Sequence, residues 1–149
     1  MRKKKRMIVA ASGYFNPFHV GHLEYLERAK KLADKLGSKL IVIVNNDRQV
    51  RVKGSHPFMN EKDRLRIIEA LKCVDKAVLS IDKDKTVCRS LAKLKPDIFA
   101  KGGDRTSKEI PERTVCDKLG IIITDRLGRK IRDSSEIIKR AKKKRIKII

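Results

Sequence analysis

The sequence predicts an α/β domain: a doubly wound, five-stranded parallel sheet with helices on both faces. Three observations carry this expectation. Short apolar runs rich in Ile, Val and Ala alternate with amphipathic segments along the whole chain. The run Leu40-Ile41-Val42-Ile43-Val44 is apolar at every position, as a strand covered on both faces requires. The length, 149 residues without a linker or an internal repeat, suits one core, so residues 1–149 are read as a single domain.

The elements follow in order. Met7 to Ser12 is a short apolar run ending at Gly13, a buried strand entering a turn. Val20, Leu23, Leu26, Ala29, Leu32, Ala33 and Leu36 then recur at steps of three and four, with Glu24, Glu27, Arg28, Lys31 and Lys35 on the opposite face, which predicts a helix that Gly37 stops. Lys39 to Asn45 is the second strand, and Asn46 to Pro57 reads as a polar, basic loop. Asn60 with Asp63 is placed to cap a helix carrying Leu65, Ile67, Ile68 and Leu71. Lys76 to Ile81 is read as strand, Lys85 to Leu94 as helix and Asp97 to Ala100 as strand. A shorter helix over Glu112 to Leu119, a fifth strand over Ile121 to Thr124 and a last helix from Ser134 complete the chain. Right-handed crossovers would place ligands beyond the carboxyl ends of the strands, which makes the loops after strands one, two, four and five the informative ones.

Composition narrows the function. Lys and Arg number 39 against 18 Asp and Glu, a net charge of +21. Hydrophobic residues at 40% and charged ones at 38% are too mixed for a disordered polycation and too interrupted for a membrane span. No secretory pattern is present, so the expected location is cytoplasmic. Arg2 to Arg6 supply five of the excess charges and Lys139 to Lys147 seven, so two basic tails, about 1–6 and 139–149, could hold nucleic acid through its phosphates. With no Trp, two Tyr and four Phe there are few platforms for bases, and that role is not favoured. Cys73, Cys88 and Cys116 lack the close Cys/His spacing of a zinc site and are read as reduced thiols. No metal ligand set is assigned.

The loop after the first strand is Ser12-Gly13-Tyr14-Phe15-Asn16-Pro17-Phe18-His19-Val20-Gly21-His22. Two histidines three apart at a helix start share one face beside the free N–H groups of the first turn, an anion site in which the helix dipole favours phosphate. Gly21 leaves room for the phosphate to approach. After the fourth strand, Gly102-Gly103 allows close backbone approach and Asp104 can accept hydrogen bonds from a sugar or base. Asp133 and Glu136 form a capping box around Ser134 and Ser135, a donor-rich helix start.

His19-Val20-Gly21-His22 after a Gly-x-Phe-Asn-Pro loop resembles the signature of the Rossmann-like nucleotidyltransferase superfamily that contains cytidylyltransferases and related adenylyltransferases. Lys53-Gly54 with Arg64, Val74-Asp75, and Ser134-Ser135-Glu136-Ile137-Ile138 are similar to its later motifs in order and spacing. Lys101-Gly102-Gly103-Asp104 resembles the heptose-phosphate adenylyltransferase subgroup. Departures are Asn16 where many members carry Asp, Lys72 where the glycerol-phosphate branch has Arg, and Asp133 where a third Ser or Thr is common.

The resemblance implies that an acceptor phosphate attacks the α-phosphate of CTP or ATP and that pyrophosphate leaves with Mg2+ assistance. His19, His22, Lys53 and Ser134 would act in catalysis. Gly13, Tyr14, Phe15, Asn16, Gly21, Gly102, Gly103, Asp104 and Ser135 would hold the nucleotide, and Arg64, Arg126 and Arg129 the acceptor. The acceptor is expected to be a sugar or polyol phosphate, with FMN adenylylation as the alternative and a binding protein without turnover as the competing class. Relatives of this size also imply a homodimer.

Overall fold

A computed structural model describes residues 7–102 and 110–124. Five parallel strands, β1 (Ile8–Gly13), β2 (Lys39–Val44), β3 (Lys76–Leu79), β4 (Ile98–Ala100) and β5 (Ile122–Thr124), form one sheet in the order β3-β2-β1-β4-β5. Chain order reverses between β1 and β4, and a crevice opens at such a switch point. The helices are α1 (Val20–Lys35), α2 (Asp47–Val52), α3 (Glu61–Ala70), α4 (Cys88–Leu94) and α5 (Arg113–Leu119).

Two cores follow from strand alternation. Val9, Ala11, Leu40, Val42, Val44, Ile98 and Ala100 point to one face and pack with Leu26, Ala29, Leu32 and Ala33 of α1 and Ile68 of α3. Ala10, Ile43 and Phe99 point to the other, where Val87, Leu91, Ile110 and Cys116 cover them. The expected sheet with helices on both faces is therefore the observed one. Asp75 ties the first face together by accepting from Leu40 N at 2.8 Å and Lys30 Nζ at 2.7 Å. Partial burial alone would raise the Asp75 pKa, but these hydrogen bonds outweigh it and hold the carboxyl below its ordinary value. The three cysteines are free thiols, with Cys116 buried.

The structure corrects two elements. Residues 46–57, expected as loop, contain α2, because Asn46 Oδ1 accepts from Gln49 N at 2.9 Å while Gln49 Oε1 accepts from Asn46 N at 3.0 Å. The fourth helix starts at Cys88, three residues after the expected Lys85, where the Asp82 carboxylate accepts from Arg89 N at 2.7 Å and Ser90 N at 2.9 Å. Among the described residues no helix is long and apolar enough to cross a membrane. The last helix expected from Ser134 and both basic tails lie outside the described residues.

Candidate active site

The carboxyl end of β1 delivers the chain into α1 through a turn that only certain residues permit. Phe15 takes a φ of 51° and sinks to 1% exposure. A Cβ on Gly13 would stand 2.7 Å from Phe15 Cζ, so this ring requires glycine beneath it. The buried Phe15 ring meets His22 edge-on at 5.2 Å, and Phe18 stacks on His22 at 5.8 Å. His19 and His22 lie nearly parallel, 3.7 Å between centroids.

The first turn of α1 has four N–H groups without an intrahelical partner, and the histidines take two of them. Gly21 N donates to His19 Nδ1 at 3.1 Å, and His19 N donates to His22 Nδ1 at 3.2 Å. An Nδ1 that accepts carries no proton, so each neutral ring must hold its hydrogen on Nε2. Both side chains are thereby fixed as Nε2–H donors. The first intrahelical bond is Leu23 N to His19 O at 3.1 Å, and the reciprocal capping of His19 and His22 occupies the turn before it. A Cβ on Gly21 would meet His19 Cε1 at 3.0 Å, so glycine here makes room for the His19 ring. The sequence had assigned that space to phosphate.

Partial burial lowers the His22 pKa, and the charges of His19 and Lys53 lower it further from the ordinary 6.5. Protonation would add a hydrogen to Nδ1 and break the cap on His19 N. The folded state therefore resists a proton that the unfolded state accepts: the stability this contributes is present above pH 6.5 and is lost as pH falls toward the depressed folded value. A pH–rate profile is expected to show its acid limb below 6.5, with neutral His22 as the active form. An acid limb above that value would contradict the assignment.

The loop after β2 closes the other side. Lys53, the C-cap of α2, holds Nζ 4.3 Å from the centre of the Tyr14 ring. Tyr14 Oη donates to Lys85 O at 3.5 Å, and partial burial raises its pKa, with Glu112 and Asp84 adding to the effect. Asn16 fastens the following segment: Oδ1 accepts from Phe58 N at 2.8 Å and Met59 N at 3.3 Å, and Nδ2 donates to His56 O at 2.8 Å. The structure thus gathers His19, His22, Tyr14, Phe15, Asn16, Gly21 and Lys53 around one helix mouth.

Several of the expected residues are engaged within the protein. Arg64, expected at the acceptor, is 1% exposed. Its guanidinium donates to Met59 O at 2.9 Å, Tyr14 O at 2.8 Å, Asn45 O at 2.6 Å and Asp47 Oδ1 at 2.6 Å, so it holds loops together. Asn16 and Phe15, expected against nucleotide, are likewise occupied within the protein, one by the 56–59 segment and one beneath His22. Gly102 packs against Tyr25, where a Cβ would come within 2.9 Å of the ring. Tyr25, not singled out from the sequence, donates to Ala100 O and accepts from Ser12 N at 3.3 Å, bridging the carboxyl ends of β4 and β1. Its signal was its place on the apolar stripe of the first helix with a hydroxyl to satisfy. Gly103, Asp104, Arg126, Arg129, Ser134 and Ser135 lie outside the described residues.

Comparisons with known proteins agree with this fold. A family model described as cytidylyltransferase-like matches residues 10–144. An FAD synthase of Thermoplasma volcanium is 36% identical over 115 residues, covering 77% of this chain and 77% of that protein. One from Methanothermus fervidus is 40% identical over 115 residues, 73% and 77% of the two chains. The bifunctional protein HldE of Streptomyces coelicolor is 38% identical over 122 residues, 80% of this chain but 25% of that protein. Among solved structures, a lipopolysaccharide core biosynthesis protein from Thermoplasma volcanium GSS1 superposes with a TM-score of 0.66 at 34% identity, covering 81% of this chain and 94% of that one.

Proposed function

This chain belongs to the cytidylyltransferase-like family and is a nucleotidyltransferase, and we propose that it transfers AMP from ATP to the phosphate of FMN, releasing pyrophosphate. The observation that carries the reaction type is the paired cap of α1, which fixes His19 and His22 side by side at the helix start with their Nε2–H groups left to donate. The FAD synthases matched over most of both chains favour FMN as acceptor. A sugar phosphate is the second reading, favoured by the match to HldE over 80% of this chain and by Lys101-Gly102-Gly103-Asp104.

In this mechanism an oxygen of the acceptor phosphate forms a bond to the α-phosphorus while the bond from that phosphorus to the bridging oxygen breaks. Pyrophosphate takes the electron pair, and no covalent enzyme intermediate is needed. His22 donates to the α-phosphate oxygens as charge builds on them, and His19 and Lys53 hold the polyphosphate. Ser134 and Ser135 are assigned to the outer phosphates, Asp104 with Gly102 and Gly103 to the nucleoside, and Arg126 and Arg129 to phosphate, all from the sequence. Among the described residues no group of three His, Cys, Asp or Glu side chains is placed to hold a metal. The donors at the helix mouth do not fit as magnesium ligands, and no step runs through one. Magnesium dependence, with the ion brought by the triphosphate and not held by these donors, and a homodimer belong to the same proposal, and EDTA inhibition and light scattering test them.

The experiment is pyrophosphate release from ATP and CTP with FMN, heptose 1-phosphate and glycerol 3-phosphate. Turnover with FMN and ATP is expected. Turnover with a sugar or polyol phosphate alone would replace the acceptor, and silence with every pair would overturn the reading. Lys53→Ala is expected to raise the KM for ATP about tenfold, the scale of one lost charge-assisted contact to phosphate. An unchanged KM and kcat would remove Lys53 from the site.

A further inference from the structure

Three exposed apolar side chains border the reaction site. Val20, 70% exposed, follows His19; Val52, 47% exposed, precedes Lys53; and Phe58, 71% exposed, donates its backbone N–H to Asn16. Phe58 is not exposed through slackness of its loop. Asn16 binds His56 O, Phe58 N and Met59 N, and Arg64 Nε donates to Met59 O at 2.9 Å. His56 stands edge-on to the Phe58 ring at 6.0 Å. Four hydrogen bonds therefore fix a backbone that holds an aromatic ring out in water, where it forgoes the burial that usually stabilises such a side chain.

We propose that Phe58 reads the acceptor: its ring stacks on the flat aromatic end of the molecule, while the phosphate of that molecule reaches the His19–His22 mouth and Lys53. The occupant is the flavin ring of FMN, so the inference rests on the acceptor named above and assigns the residue that selects it. Chemistry supports this pairing. A ring system offers a large apolar face to the exposed Phe58 ring, and its phosphate matches the charge of Lys53. A bare sugar or polyol has no flat aromatic face for the ring of Phe58 to stack on.

The test uses the full chain with Phe58→Ala and Phe58→Trp, whose folding is checked by melting because the side chain is exposed. Phe58→Ala should raise the KM for FMN tenfold or more, with no matching rise in the KM for ATP, the scale of a lost stacking contact. Phe58→Trp should restore the KM and quench flavin fluorescence on binding more strongly than the native ring does. FMN turnover with an unchanged KM in Phe58→Ala, or a Trp variant that binds FMN without added quenching, overturns the platform and leaves the acceptor standing. FMN binding that Phe58→Ala weakens, without turnover in the native protein, supports the platform and overturns the reaction. Neither binding nor turnover overturns both.

Discussion

Replacing His22 by Asn is expected to lower kcat by about a hundredfold or more while the fold stays intact, the scale of removing one donor that acts on developing charge. The choice of Asn follows from the cap. His22 Nδ1 accepts from His19 N at 3.2 Å, and an Asn side-chain oxygen reaches the position of that nitrogen but has nothing at Nε2. The variant therefore keeps the helix start and loses only the outward donor. Gln reaches the Nε2 position with an amide N–H and should recover part of the rate while giving up the capping contact. If His22 served only as a cap, the order would invert: Asn would be nearly silent and Gln would destabilise. Single-turnover rates beside thermal melts of both variants separate the two, and an Asn variant with native kcat would remove His22 from the chemistry.

What the sequence revealed divides along one physical line. Patterns that depend on neighbours in the chain were readable: the unbroken apolar run Leu40–Val44, the stripe from Leu26 to Leu36, though its expected first member Val20 is exposed, and the Asn60–Asp63 cap, in which Asp63 N donates to Asn60 Oδ1 at 2.9 Å. The short helix α2 was hidden although its Asn46–Gln49 box is local, because Arg48, Arg51 and Lys53 gave the segment the look of a solvated loop. Roles set by distant partners were not readable. Asn16 finds its acceptor and donors 40 to 43 residues away, and Arg64 meets Tyr14 at a separation of 50 and Asn45 at 19. An arginine on a helix that also carries Lys62 and Arg66 reads as solvent-facing or ligand-facing, and only the assembled loops show that carbonyls surround it. Gly21 is a local exception: its need for no side chain was legible, but that the His19 ring two residues away takes the space was not.

Arg64→Met is the substitution with the largest expected cost in stability, about 3–5 kcal/mol, the range for removing one partner of a buried ion pair. Methionine nearly fills the space and has no donors. The carbonyls of Tyr14, Asn45 and Met59 then lose the hydrogen bonds that Arg64 supplies, and Asp47, whose side chain is 19% exposed, loses its cation. For a domain of this size such a loss lowers the melting temperature on the order of 10 °C. Lysine does not substitute, because one ammonium on a flexible stem cannot reproduce a planar fork aimed at four acceptors. Pairing Arg64→Met with Asp47→Leu should return part of the stability, since the second change removes the carboxylate left without its partner. A single variant that melts within about 2 °C of the native protein would mean that water replaces these bonds at little cost. Activity should fall with stability in a particular way. Tyr14 carries the ring under Lys53, and Met59 anchors the loop that holds Phe58, so releasing both carbonyls loosens the nucleotide side and the acceptor side together, and both KM values should rise.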